Sequence, residues 1–352
     1  MSNLPPSPMY WIDVQEHFND LVVGTYGRGI WILDDLSPLQ QLDQNITKKE
    51  AHLFDIKPAY RFHNVTNSLQ MLKEASTGQD PPKGASINYW SNGEKDIEII
   101  ITNQKNEPVK TIKEKAKKGI NRLWWDFSNE ETSNIVFRTK PLYADWFTLD
   151  KNKERADQSL YSFSVMSPPG TYNITLKSGA NSMTKTLKVM KDPNSEGTEE
   201  DINLQNQLVT KIYADLNTTI SHINSIEVIR RQLLDLKAML KNSSSKKEFV
   251  QMVDKLENQF LEIEKQLIQL KITGTGQDGV RYQKMLVEKL RYLAANVQIS
   301  DFKPADSYVE VYEILKGRLN SIAQKFEKLK TEDLSNTLDT LRNNKIEMIV
   351  TD

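Results

Sequence analysis

The sequence predicts a multidomain chain of β structure followed by α structure, on three observations. Two apolar runs, Leu21 to Val23 and Ile30 to Leu33, are joined through a glycine-rich turn. About seven short apolar or alternating runs, separated by turn residues, fill positions 83–192. From Thr198 onward, apolar residues recur at three-four spacing between capping signals.

Composition bounds what these parts can do. A chain of 352 residues suggests about two domains. With 38% hydrophobic and 26% charged residues it has an ordinary globular composition. The formal net charge of −1 provides no general field for nucleic acid or an anionic membrane, and neither partner is expected. The absence of cysteine excludes disulfides, thiol chemistry and cysteine metal sites. His17, His52, His63 and His222 are scattered without metal-ligand spacing, so no metal or cofactor is expected. No run reaches the roughly 20 apolar residues that span a bilayer. The opening MSNLPPSPMYW lacks the basic and apolar regions of a signal peptide.

The stretch Phe18 to Leu42 reads as strand, turn, strand and short helix. Gly24, Gly27 and Gly29 are available for the positive φ that a hairpin connection needs. Ser37 and Pro38 read as the N-cap and first residue of a helical turn. Met9 to Val14 supplies a third strand, making an antiparallel meander. Its strands are apolar on both faces, an aggregation hazard unless something covers them. In a β-propeller three or four such strands form one blade, and neighbouring blades cover both faces.

The run PPSPMYWIDVQEHFNDLVVGTYGRGIWILDDLSPL resembles the last propeller strands of bacterial sortilin-like, BNR-repeat proteins, a family often labelled glycosyl hydrolases. GTYGRGIWILDD carries the match. The resemblance implies a large propeller, then a β-sandwich and a helical tail, in a parent protein that is secreted, periplasmic or on the cell surface. The chain has no Asp-box repeat of the SxDxGxTW kind and lacks the cysteines of the eukaryotic sortilin module. Most of the propeller, with any catalytic carboxylates the family places there, is therefore expected outside this sequence. Residues 1–50 are then an incomplete blade, and 9–35 is the surface that meets the missing propeller or a second copy.

Positions 51–82 read as a bridge that packs through Leu53, Phe54, Tyr60 and Phe62, followed by a mobile linker ending at Pro82. Positions 83–194 read as an immunoglobulin or fibronectin III-like β-sandwich. Its expected strands are Ala85 to Trp90, Asp96 to Thr102, Val109 to Lys113, Gly119 to Phe127, Leu160 to Met166, Thr171 to Lys177 and Met183 to Met190. The insertion 128–159 is longer than most structureless loops, which makes it functional or disordered. Arg138, Pro141 and Trp146 resemble residues at similar places in the family, so part of it is expected to pack.

Positions 198–347 read as an antiparallel bundle of four long helices and a short C-terminal one. Capping boxes are expected at Thr198 with Asp201, Ser245 with Glu248 and Ser307 with Glu310. Breaks are expected at 242–244, 273–279 and 300–306. Ile226, Ile229, Leu233, Leu236 and Leu240 share a seam with Val253, Leu256, Phe260, Ile263, Leu267 and Leu270, as in a coiled-coil hairpin. Tyr308, Tyr312, Leu315, Leu319, Ile322, Phe326 and Leu329 form a further stripe.

Few residues offer chemistry. Asp34 and Asp35 are adjacent in the chain, so they point to opposite faces and cannot act together as acid and base. Strand-end and turn-capping roles are expected instead. Arg28 could bind an anion, although bracing the hairpin is the simpler role. GTYGRG matches no dinucleotide or phosphate-loop fingerprint. Trp124 and Trp125 should point one inward and one outward. An outward Trp124 with Tyr143 and Trp146 could stack on sugar rings, against the simpler role of covering surface. No catalytic residue is assigned. The expected function is a non-catalytic scaffold and interaction region of an exported propeller protein. The alternatives are a carbohydrate-binding module that takes polysaccharide, and a hydrolase by family label only.

Overall fold

The computed structural model describes residues 4–63, 82–144, 146–155, 161–241, 247–273 and 277–346. It is a mixed β and α structure with several sheets, one of them curled into a half-barrel, and a C-terminal helical region. It divides into two compact units: Met1–Glu130 with Ser167–Ser195, and Glu131–Met166 with Glu196–Asp352.

In the first unit, β1 (Met9–Gln15), β2 (Asp20–Thr25) and β3 (Ile30–Leu33) form the antiparallel meander in that order. Gly27 and Gly29 take positive φ in the turn, where a side chain would be strained. Gly24 does not: it stays inside β2, opposite Trp11 on one side and Ile30 on the other. The following helix α1 (Ser37–Gln41) starts one residue earlier than its sequence suggests. Ser37 is already helical, and its N–H is accepted by the Asp35 carboxylate at 3.2 Å. A second short helix, α2 (Gln44–Thr47), is capped by Asp43, whose Oδ1 accepts the Ile46 N–H at 2.7 Å.

The bridge contains two strands that its short apolar runs did not reveal. β4 (Ala51–Leu53) pairs antiparallel with β6 (Ala85–Ser91), and β5 (Ala59–Arg61) pairs parallel with β11 (Asn181–Lys191). Leu53 and Phe54 are buried as expected, whereas Phe62 is 46% exposed because it lies beyond the end of β5. The expected linker at 64–81 lies outside the described residues.

With β7 (Lys95–Asn103), β8 (Pro108–Ala116), β9 (Gly119–Trp125) and β10 (Gly170–Ser178), these strands form two sheets. One has five strands in the order β5-β11-β10-β7-β8, the other three in the order β4-β6-β9. Alternate residues turn inward, as the period of a strand requires: Ile97, Ile99 and Ile101 on β7, and Ile174 and Leu176 on β10, are buried. Trp125 of the smaller sheet meets Tyr172 of the larger at 5.0 Å between ring centroids. Gly84 has φ +115°, and a Cβ there would sit 2.0 Å from the Trp125 carbonyl oxygen. Only glycine lets the chain enter β6 at that distance.

The expected strand at Leu160 to Met166 does not form. Leu160 lies outside the described residues, and Tyr161 to Met166 belongs to the helical unit with the rest of Glu131–Met166. Thr132 takes both backbone groups of Phe163, and Gln298, at the C-cap of the helix Leu286–Val297, supplies further hydrogen bonds that a neighbouring strand would have supplied. Gln298 Oε1 accepts the Met166 N–H at 2.7 Å, and Gln298 Nε2 donates to the Ser164 carbonyl at 3.3 Å. The alternation of Tyr161, Phe163 and Val165 marks an extended chain, and that period does not distinguish a sheet partner from a helix surface.

The second unit holds α3 (Glu199–Lys241), α4 (Lys247–Leu267), α5 (Asp278–Arg281), α6 (Leu286–Val297), α7 (Asp306–Lys328), a π-helical turn at Leu329–Leu334 and α8 (Ser335–Asn343). The Thr198 box forms, with Thr198 Oγ1 donating to Asp201 Oδ2 at 2.7 Å and accepting the Asp201 N–H at 3.0 Å. Ser245 lies outside the described residues. The Ser307 box does not form, because Ala305 is extended and α7 starts at Asp306, leaving Ser307 inside the helix. Of the expected four long helices, the third is the 12-residue α6, preceded by the single turn of α5. Ion pairs of Lys237 with Asp254 and of Arg230 with Glu264 run in opposite chain directions, so α3 and α4 are antiparallel. The apolar residues of the seam are buried except Ile229, which is partly buried, and Leu270 joins them from beyond the end of α4.

Candidate functional site

Two features among the described residues invite a functional reading, one in each unit. The first is the meander. Registered neighbours share a face, so Ile12 and Val14 lie with Val23, Leu21, Trp31 and Leu33 on one side. Trp11, Ile30 and Ile32 lie on the other. Trp11 is 71% exposed, Ile30 74%, Ile12 63% and Ile32 61%. Both faces of the sheet thus present apolar residues to solvent, and among the described residues β1 pairs only with β2.

The meander is anchored at one end through Asp35. Asp35 has φ +55°. Its carboxylate holds Lys57 Nζ at 2.8 Å and accepts Asn88 Nδ2 at 3.2 Å, besides the Ser37 N–H. Arg122 donates to the Asp34 carbonyl at 2.6 Å and to Asn88 Oδ1 at 2.8 Å. Burial alone would raise the Asp35 carboxyl, but the Lys57 and Ser37 interactions outweigh it and hold it below its ordinary value. The Asp34 side chain is exposed and Asp35 is engaged in this anchor, so the two carboxylates form no joint site. Arg28 is exposed, and among the described residues its guanidinium has no hydrogen-bond or ion-pair partner. It does not brace the hairpin through that group. Gly29 does so through its carbonyl, which accepts Thr25 N–H and Oγ1–H, and the Arg28 carbonyl accepts Trp31 Nε1–H.

The second place is inside the helical unit, where Glu131–Met166 runs along α3 on side-chain hydrogen bonds. Asn217 Oδ1 accepts the Ser133 N–H at 3.0 Å, and Asn224 bonds the Val136 N–H at 2.8 Å and the Asn134 carbonyl at 2.9 Å. Glu227 Oε2 accepts the backbone N–H groups of Arg138 and, at 2.7 Å, Thr139, while Oε1 accepts the Thr139 hydroxyl at 2.8 Å. Beneath lies a buried charge cluster. Arg230 donates to Glu257 Oε1 at 2.9 Å, to Glu264 Oε2 at 2.5 Å and to Thr139 Oγ1 at 3.3 Å. Glu227, Arg230, Glu257 and Glu264 are all buried. Burial pushes the Glu264 carboxyl well above its ordinary value, and the nearby Glu227 charge adds to the effect. The same carboxylates keep the Arg230 guanidinium charged against its own burial.

Sequence periodicity marked the apolar seam and missed this cluster. The available signal was Glu257 and Glu264, seven residues apart on either side of Phe260 and therefore on one helix face. A related arrangement occurs on α7, where Tyr312 donates its hydroxyl to Asp215 Oδ2 at 3.0 Å beside Lys316.

The proposed sugar-stacking residues are not brought into one site within a unit. Trp125 is the inward member of its pair, and Trp124 is partly buried in the first unit. Tyr143 and Trp146 belong to the second unit, 64% and 65% exposed, with Trp146 leaning on Phe147 at 4.9 Å between centroids. Among the described residues no group of three or more His, Cys, Asp or Glu side chains is arranged to hold a metal. No described helix is long and apolar enough to cross a membrane. No family model, curated protein or solved structure matches the chain.

Proposed function

We propose that the chain is a non-catalytic scaffold and interaction region of an exported protein, with β1, β2 and β3 as strands of a β-propeller blade. The remaining strands form an immunoglobulin-like sandwich, in the arrangement that the sortilin-like, BNR-repeat resemblance implies. One observation carries this: consecutive residues Trp11 and Ile12, which point to opposite faces, are both largely exposed. Covering a large apolar side chain is worth about 1.5–3 kcal/mol, so the meander is driven to bury both sides. A partner stacked on one face leaves the other bare, whereas a blade between two neighbouring blades has both covered.

Sedimentation of the full chain over a range of concentrations tests it. Self-association is expected, and Trp11→Lys on one face and Ile12→Lys on the other should each weaken it with unchanged circular dichroism. A wild-type chain that stays monomeric at high micromolar concentration overturns the proposal.

A carbohydrate-binding role is favoured by one observation, the exposure of Tyr143 and Trp146 three residues apart. Calorimetric titration with plant and microbial polysaccharides decides it: heat that is lost in Trp146→Ala supports stacking, and no heat with any polymer removes this role.

A further inference from the structure

We propose that a protonated Glu264 donates a hydrogen bond to Glu227 and so forms a proton-sensitive latch that holds the chain at Arg138 and Thr139 against α3 and α4. The two carboxylates converge on one guanidinium nitrogen: Arg230 Nη1 lies 2.5 Å from Glu264 Oε2 and 3.8 Å from Glu227 Oε1. Both Glu227 oxygens already accept donors from Arg138 and Thr139. Glu264 Oε2 accepts Arg230, but its Oε1 is fully buried and has no donor among the described residues. Two acceptors cannot bond each other, and two buried carboxylates side by side cannot both remain ionised. A proton on Glu264 Oε1 resolves both problems, because it makes that oxygen a donor to Glu227.

The groups that face this proton are Glu227 and Arg230 on α3, Glu257 on α4, and Thr139 and Arg138 on the segment, the last paired with Glu154 at 3.2 Å. With the proton present, the three carboxyls and one guanidinium of the cluster carry a net charge of −1; without it they carry −2. The second buried negative charge repels Glu227, and the strain falls on the weakest attachment. α3 and α4 are joined along an apolar seam of many residues. The segment at Arg138 and Thr139 is held chiefly by the Glu227 carboxylate.

The sign follows from the direction of the shift. The Glu264 carboxyl is raised in the folded chain, so the folded unit retains a proton that the unlatched segment gives up. Attachment is therefore full at low pH and is lost progressively as pH rises from the ordinary carboxylate range through the raised value. Release is local to Arg138 and Thr139, because Leu142 is held separately by backbone bonds to Leu270 and Ile272. The latch does not depend on the propeller assignment.

Amide hydrogen exchange of the full chain between about pH 6 and about pH 9 reads this directly, since buried glutamates titrate up to that range. After correction for intrinsic exchange, the protection of the Arg138 and Thr139 amides should fall by up to about ten-fold per pH unit, the slope for one proton. Amides of α3 on the apolar seam, such as that of Leu233, should show no such slope, which separates local release from global unfolding. Glu264→Gln, whose amide can donate to Glu227 and accept from Arg230, should abolish the slope. A flat wild-type profile overturns the proposal without any variant, and a wild-type slope retained in Glu264→Gln does so as well.

Discussion

Arg230 Nη1 lies 2.5 Å from Glu264 Oε2 with both side chains withdrawn from solvent, and the same guanidinium reaches Glu257. A buried pair of this kind adds little over a well-packed apolar substitute, yet removing one partner leaves the others uncompensated. Arg230→Met should therefore destabilise the helical unit by about 3–5 kcal/mol, measured by chemical denaturation. The triple variant Arg230→Met, Glu257→Leu, Glu264→Leu should recover most of that loss. A cost for Arg230→Met below about 1 kcal/mol would contradict the buried network, because an exposed ion pair has that magnitude.

In the strand unit the corresponding anchor is Asp35, and its pH dependence runs the other way. Its carboxyl is held below the ordinary value by Lys57 and Ser37 despite the cost of burial. Its contribution is present above the unfolded value and is lost as pH falls through the folded one. Asp35→Asn should lower stability at neutral pH by about 1–3 kcal/mol, the scale for a lost charged acceptor, and should flatten the acid limb of the unfolding curve. The tryptophan signal in near-ultraviolet circular dichroism follows this unit, which contains Trp11, Trp31 and the buried Trp125. An acid limb identical to wild type would show that Asp35 is not an anchor.

Asn224 tests whether helix side chains substitute for a strand partner. It satisfies one donor and one acceptor of the extended segment, at Val136 and Asn134. Asn224→Ala should cost about 1–2 kcal/mol and should speed hydrogen exchange at the Val136 amide. Asn224→Asp keeps the acceptor and should preserve protection there. Equal exchange at Val136 in wild type and Asn224→Ala would mean that this amide is protected by other contacts.

Much of the fold was legible wherever a residue's surroundings follow from its near neighbours. The stripe Tyr312, Leu315, Leu319, Ile322 and Phe326 is buried because a helix places residues three and four apart on one face. The strands β6 to β11 lie close to their alternating runs for the same local reason. The extended run at Tyr161 to Met166 shows where local pattern fails. Its alternation predicts a strand, but the chain there bonds to Thr132 and to Gln298, which follows α6 more than a hundred residues away.

The sequence by itself determined the helical seams, most strand positions and the excess of apolar residues in the meander, since these depend on backbone periodicity and composition. Only the tertiary structure decided that Trp11 and Ile12 are both bare, that Asp35 anchors while Asp34 does not, and that Glu131–Met166 packs with the helices. It also brought Glu227, Arg230, Glu257 and Glu264 together. Which charges meet inside a protein depends on how separate elements cross. In the chain these four residues lie on two helices, and the Glu264 carboxyl is raised first by burial and then by the Glu227 charge from the other helix.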